Sequence, residues 1–493
     1  LTDIGYLFDF MSILKVLIIL IEVVVLFNVI IIVHELGHFL AAKWRKLKID
    51  RFGVWFGKPL WEKEYKGVHY SLGSIPAGGF VALPQLAPME MIEGTDASGE
   101  TEELPPISPL DKIIVAVAGP LFSLGLALFF AVVVWQIGRP ISESETTTII
   151  GYVQEGSPAA EVGILPGDRI LEIDGSPVTK FGGMGDSVSW RIASSVGETI
   201  SIKLDRAGEI LTVNPKPIVP ETKGWQRAQT RQIQIRPYQT PMVARILEDS
   251  PAQVAGLQPN DLIVKAGDQP ILHRITLSDI IRENGEKPLE LEVTRKGESI
   301  HLTMTPEIPT YPDSYPEEAR GPMIGILWDN SGVMDLEYSG PWEQVKGSID
   351  TLVSTLGALF SPESDIKAQH LSGPVGIMRI YYLLFESEQG WRLAIWFSVI
   401  LNVNLAILNM LPIPVLDGGH ITLAVLEAIR RKPLNIRILQ FVQSGFAALL
   451  IGYMLYVTFF DVQDISWGRS SNASEGQTIQ FSPKSEATNP ASQ

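Results

Sequence analysis

The apolar residues of this chain are unevenly placed along its length. They are gathered in four blocks, each close to the roughly 20 apolar residues that a helix needs to cross a bilayer. The first runs from about Ser12 to Ala42, the second from Ile113 to Ile137, the third lies near Leu393 to Leu408, and the fourth spans Phe441 to Phe460. A mean hydropathy of +0.18 over 493 residues fits a membrane protein that carries water-soluble insertions. The first block is too long for a secretory signal and shows no small-residue cleavage site before His34, so it is expected to be retained as a helix.

Charge and cysteine content remove other classes. A formal charge of −16 leaves no basic surface for nucleic acid. With no cysteine, disulfides and thiolate ligands are excluded, so any metal must be held by His, Asp, Glu or backbone oxygen. Lys43, Arg45, Lys46, Lys48 and Arg51 follow the first block, and Arg430, Arg431, Lys432 and Arg437 separate the third and fourth. Basic loops stay in the cytoplasm, which puts both termini and the insert from about Gly138 to Gln389 on the opposite side. Glu22, a lone charge inside the first block, is expected to face protein or water.

The insert contains an internal repeat. EGSPAAEVGILPGDRILEIDGSPV (155–178) aligns without a gap on EDSPAQVAGLQPNDLIVKAGDQPI (248–271), and each copy later reaches a turn, RAGE at 206–209 and RKGE at 295–298. Two small domains of mixed strand and helix follow. The repeat resembles the PDZ domain of bacterial envelope proteases. Asn260 stands where the first copy has Gly167, and asparagine tolerates the left-handed turn required there. The resemblance implies binding of an extended peptide as an added strand; the alternative is a pair of rigid spacers or size filters. Residues 86–108 carry six acidic and no basic side chains and are expected to form a mobile loop, and the Ser- and Asn-rich chain from about Ser466 to Gln493 is expected to be disordered.

The chemistry sits in HELGH, residues 34–38, inside the first block. Residues four apart on a helix stack on one face, so His34 and His38 can share a zinc ion, leaving Glu35 beside it as a general base. The alternative is a hydrogen-bonded polar cluster, but ionisable groups at membrane depth are costly without a purpose. A hydrolytic zinc takes three protein ligands and leaves one position open. Asp417 is the candidate third ligand, because Pro412, Pro414, Gly418 and Gly419 make irregular backbone around it at the end of the third block. His420 could support it, although a helix-surface or packing role is the favoured expectation; His69, His273, His301 and His370 are expected to be ordinary surface or loop residues.

HELGH together with NMLPIPVLDGG (409–419) is similar to the paired signature of the site-2 proteases, and the four blocks, the two PDZ-like repeats and LSGPVGI (371–377) extend the resemblance over about residues 11–460. It implies a polytopic α-helical membrane protein of four core transmembrane helices, with a membrane-associated β-hairpin loop and two inserted α+β PDZ domains. The expected order is an N-terminal segment and first helix with HELGH (1–45), a cytoplasmic β-loop region and acidic loop (46–111), the second helix (112–138), two PDZ domains (139–225 and 226–310), and a linker with amphipathic helices (311–389). The third helix with LDGG (390–420), a cytoplasmic loop (421–440), the fourth helix (441–460) and the tail (461–493) follow.

The same resemblance implies zinc-dependent cleavage within the membrane, with one Zn2+ on His34, His38 and Asp417, Glu35 as base, and Asn404 and Asn409 touching substrate. HYSLGSIPAGGFVAL (69–83) falls on the family's membrane-associated loop, where the strand near Gly78 and Gly79 could pair with an unwound substrate; a plain connecting hairpin is the alternative. The expected partners are the lipid bilayer, a single-span membrane protein substrate of anti-sigma factor or remnant signal peptide type, and a peptide or ectodomain at the PDZ pair. The expected location is a bacterial inner membrane, with the PDZ pair extracytoplasmic and the centre near the cytoplasmic side. A membrane-anchored PDZ scaffold without proteolytic activity is the competing reading. Three departures stand out: Ser123 where the family has Asn, residues 1–10 ahead of Met11, and the long Ser-rich tail.

Overall fold

The computed structural model describes residues 2–84, 107–312, 315–317, 320–328, 335–387, 389–431, 436–465 and 479–482, with the backbone alone for residues 2–12, Ala77 and Ile436. The acidic stretch lies outside the described residues except for Ile107 and Ser108. The chain divides into two compact units, one made chiefly of the apolar helices and the other of the repeats.

In the first unit, α1 (Thr2–Trp44) leads into a four-stranded sheet of β1 (Arg51–Phe56), β2 (Trp61–Tyr65), β3 (Val68–Leu72) and β4 (Ile75–Ala82). The strand order is β2-β3-β1-β4, with β1 parallel to β3 and antiparallel to β4, so β4 stands at an edge. Phe39, Ala42, Val81, Leu83 and Val115 form one apolar core joining sheet and helices. The helix α2 (Pro109–Ile137) starts at Ser108, whose hydroxyl accepts from the Asp111 amide, and stops at Gly138. Then come α3 (Pro341–Phe360), α4 (Pro374–Glu386), α5 (Gly390–Asn409), α6 (Asp417–Arg430) and α7 (Ile436–Gln463).

Four of these helices are long and apolar enough to span a membrane: Ile13–Trp44, Pro109–Ile137, Gly390–Asn409 and Arg437–Gln463. They coincide with the four blocks read from the sequence. LSGPVGI also acquires a physical reason. The buried Asp461 carboxylate of α7 accepts hydrogen bonds of 2.9 Å from the Gly373 and Gly376 amides at the start of α4. A Cβ at Gly376 would lie 2.7 Å from that carboxylate, so the approach requires glycine.

In the second unit the two copies of the repeat fold alike. The first copy has the strand order Glu209–Val213, Ile202–Arg206, Arg169–Ile173, Ser176–Pro177, and the second the matching order Glu298–Met304, Leu289–Arg295, Leu262–Ala266, Gln269–Pro270. Each adds an antiparallel pair, Ile150–Val153 with Ile235–Pro237 and Val243–Ile246 with Ile326–Trp328. Each also closes on its own apolar core, centred on Ile170 and Leu204 in one copy and on Ile263 and Leu291 in the other.

Ser157 and Ser250 cap the short helices that open the aligned stretch. Gly167 and Asn260 both take positive φ, +97° and +69°, as the substitution of one for the other requires. The RAGE and RKGE turns have positive φ at both central residues, which matches the twist of the strands they join. Their arginines were not anticipated as structural: Arg206 grips Asp168 and Arg295 grips Asp261, each through two bonds of 2.7 Å.

Two expectations are corrected here. His273 is buried rather than superficial, and its ring nitrogen accepts from the Ile275 amide at the start of the helix Arg274–Asn284. The tail is not uniformly structureless, because Phe481 is buried, Ile479 is half-buried and Gln480 is bridged to Thr310. Residues 466–478 and 483–493 lie outside the described residues.

Candidate metal centre

The centre is built where α1 meets α2 at unusually short range. A Cβ at Gly37 would fall 2.4 Å from the Ala118 carbonyl oxygen, and one at Gly119 would fall 2.2 Å from His38 Nε2. Only residues without side chains let two helices approach so closely. Asp417 reaches the same place from α6, of which it is the first residue. Cβ atoms at Gly418 and Gly419 would lie 2.2 Å from the Met410 carbonyl oxygen and 2.1 Å from that of Ile413, so the turn before α6 folds directly against its start.

Three buried groups converge here. His34 Nε2 is 3.3 Å from His38 Nε2 and 3.3 Å from Asp417 Oδ2, and His38 Nε2 is 3.4 Å from Asp417 Oδ1. Ligands at about 2.0–2.1 Å from a tetrahedral zinc stand about 3.3–3.4 Å from one another; the two imidazole nitrogens match that edge, and the carboxylate turns a different oxygen to each of them at a similar distance. Asp417 Oδ2 is buried and has no hydrogen-bond partner among the described residues, a costly arrangement unless a cation faces it. These three side chains are positioned to hold a metal ion.

The far side of each imidazole is held by α2. His38 Nδ1 donates to the Val115 carbonyl at 2.8 Å, which fixes the proton on Nδ1 and leaves the Nε2 lone pair facing the centre. His34 Nδ1 stands 3.0 Å from Ser123 Oγ, which can accept in the same way. Neither contact was foreseen; Ser123 had registered only as a departure from the family pattern. Its one available signal was a polar residue two turns from Val115 in an apolar helix.

Glu35 lies beside the triad. With His38, Asp417 and His420 it lines a cavity of about 20 Å³, room for one water molecule. The backbone of β4 passes over it: a Cβ at Gly79 would lie 3.2 Å from Glu35 Cγ. Gly78 is required for a different reason, since its φ is +81° and its absent side chain leaves room for the Phe56 ring. Asn409, at the end of α5, brings its amide nitrogen to 3.4 Å from His34 Nε2. Asn404 does not share that face, because five residues rotate it by about 140° around the helix. Its side-chain oxygen is buried and unpaired among the described residues.

The chain is similar to curated proteins over most of its length. Regulator of sigma-E protease RseP of Escherichia coli (strain K12) is 29% identical over 464 residues, covering 88% of this chain and 97% of that protein. The protein of the same name from Salmonella typhimurium (strain 14028s / SGSC 2262) is 28% identical over 457 residues with the same coverage. A Neisseria meningitidis protein, provisionally named a zinc metalloprotease, is 27% identical over 450 residues, again 88% and 97%. The profile of peptidase family M50 matches residues 22–453, a range that holds the buried triad, the second and third apolar helices and most of the first and fourth. The chain therefore belongs to peptidase family M50, the site-2 type of membrane zinc metalloendopeptidase.

Proposed function

We propose that this protein cleaves the transmembrane segments of single-span membrane proteins, with one zinc ion per chain on His34, His38 and Asp417. The observation that carries the reading is the buried cluster of two imidazoles and a carboxylate, whose possible ligand atoms all lie within 4.8 Å of one another. When bound, zinc polarises the scissile carbonyl and makes attack by water feasible near neutral pH. Glu35, facing the one-water cavity, takes the proton of the attacking water and passes it to the leaving amine. Asn409 offers its amide to the substrate backbone beside His34. Asn404, whose buried side-chain oxygen has no partner among the described residues, would be a second substrate contact one turn or more earlier on α5.

A helical substrate hides its amides, so it must unwind before it can be cut, and an unwound strand needs new hydrogen-bond partners. The edge strand β4, passing over Glu35 at Gly79, supplies them by strand addition. We read the two copies of the repeat as PDZ domains that engage an exposed peptide or hold back a bulky ectodomain. Substrates would be of the anti-sigma factor or remnant signal peptide type. The protein would sit in a bacterial inner membrane, with the repeats extracytoplasmic and the centre toward the cytoplasm.

The test is cleavage of a tagged single-span substrate by purified protein in detergent, comparing the parent with Glu35→Gln and measuring zinc in both. Cutting by the parent alone, with zinc retained in both, is the expected result. Equal cutting by Glu35→Gln would remove Glu35 as the base, and silence of zinc-loaded parent toward several substrates would favour a scaffold.

A further inference from the structure

The chain beyond the fourth span holds a short packed segment. Thr310 donates to the Gln480 carbonyl at 2.8 Å, and Gln480 donates back to the Thr310 carbonyl at 3.2 Å. The stretch before Thr310 is itself bonded to the second copy of the repeat, through Glu307 and Met323. Phe481 is 6% exposed, and its ring lies over Gly325, where a Cβ would come within 2.9 Å of it. Ile479 lines the groove between the helix Arg274–Asn284 and the strand Ile326–Trp328, facing Ile281, Arg282 and Met323.

That groove has a counterpart in the first copy, lined by Tyr152, Phe181, Ile192 and Ile235, and there no residue of the tail is among the lining residues described. Among the described residues, the tail's contact is therefore with one of the two similar domains. It is also local in sequence: a buried phenylalanine and its neighbours stand in a stretch otherwise rich in Ser, Asn, Gln and Thr, which has little to bury. With four spans, the segment after the last emerges on the same side as the insert between the second and third, so the docking needs no crossing of the membrane.

We propose that Ile479–Ser482 is a built-in ligand of the second copy of the repeat. It closes one end of the groove and must leave before another extended peptide can occupy the full length of the strand Ile326–Trp328. One aromatic ring and two backbone bonds offset little more than the entropy of ordering four residues. Covalent connection raises the local concentration enough to keep the segment docked while leaving it displaceable. The displacement part rests on reading the groove as a peptide site; the docking itself does not.

The absence of cysteine makes the test direct. Thr310 and Gln480 exchange both backbone bonds, which places their Cα atoms about 5.5 Å apart, within the range of a disulfide. The full-length Thr310→Cys, Gln480→Cys double variant, carrying a site-specific cleavage sequence between residues 466 and 478, is oxidised in membranes and then cut. The tail fragment is expected to be released only after reduction, with cross-linking at least tenfold faster than in a Thr310→Cys, Glu475→Cys control. Equal rates for the two pairs, or no cross-link, would overturn the docking.

Occlusion is read from the same variant, by cleavage of a single-span substrate in the oxidised and reduced states against the oxidised parent. Slower cutting when locked, reversed by reduction, supports displacement, and unchanged cutting with the cross-link formed overturns it. A parent that cuts nothing would count against the proposed activity, while the cross-link would still decide the docking.

Discussion

Ser123 Oγ lies 3.0 Å from Nδ1 of His34, joining the second span to the first across a gap of 89 residues in sequence. The hydroxyl orients the imidazole through its outer nitrogen, and loss of such a partner typically weakens metal binding about 10–100-fold. Ser123→Ala is expected to lower zinc affinity by that order, measured by competition with a chromophoric chelator. Ser123→Asn, which restores a polar partner, is expected to stay close to the parent. Equal affinity in all three proteins would show that Ser123 only fills space.

Gly119→Ala introduces a Cβ whose ideal position is 2.2 Å from His38 Nε2, and α2 cannot withdraw without losing its contact at Gly37. Overpacking of this kind costs about 1–3 kcal/mol. Relief must come from rotating the ring away from Asp417. Zinc content measured after purification should fall to the level of His38→Ala, with the protein still inserted in the membrane. Full zinc occupancy would mean that the two helices separate easily.

Gly79→Ala is a gentler case. Its Cβ would stand 3.2 Å from the Glu35 Cγ methylene, close enough to press on that side chain, and no atom of the triad is among its three nearest neighbours. The turnover number is expected to fall about tenfold or more, as for displacement of a general base, with zinc content unchanged. A loss of zinc instead would place the strain on the ligands.

Acid should loosen the second copy of the repeat through two groups. Burial alone would raise the Asp261 carboxyl, but the Arg295 guanidinium and the Gln258 amide outweigh it and hold its pKa below the ordinary carboxylate value. Its stabilisation is therefore complete above that range and is lost as pH falls through the folded value. His273 is pushed down to about 4, chiefly by burial and then by Arg274 and Arg236.

His273 is thus neutral when folded and protonated when unfolded between about pH 6.5 and pH 4, and stability declines with pH through that window. Amide exchange in the strand Leu289–Arg295 of the full chain, corrected for intrinsic rates, should accelerate from pH 7 to pH 4. His273→Asn, which keeps a capping side chain, should flatten that decline. A profile equally steep with and without His273 would remove the histidine from the account.

What could be read from the sequence was whatever rests on local geometry or on bulk apolarity. The four spans follow from length and hydropathy, and the pairing of His34 with His38 follows from the pitch of one helix. The matched Gly167 and Asn260 turns follow from backbone sterics at single residues. Asp417 could be nominated, because prolines and glycines around a carboxylate at membrane depth are locally unusual, but its approach to the imidazoles depends on α6 folding against the turn before it.

The rest depended on contacts between elements distant in sequence. The Val115 carbonyl and the Ser123 hydroxyl act on the histidines only because Gly37 and Gly119 let α1 and α2 touch. Asn409 reaches His34 while Asn404 faces elsewhere, a distinction set by helix rotation after packing. The burial of Phe481 leaves no periodic trace in a polar stretch, since four residues carry too little pattern to announce a partner. Sequence determined which groups the chain owns and which local geometries they can take; the tertiary structure alone decided which of them meet, because close approach is a property of two surfaces.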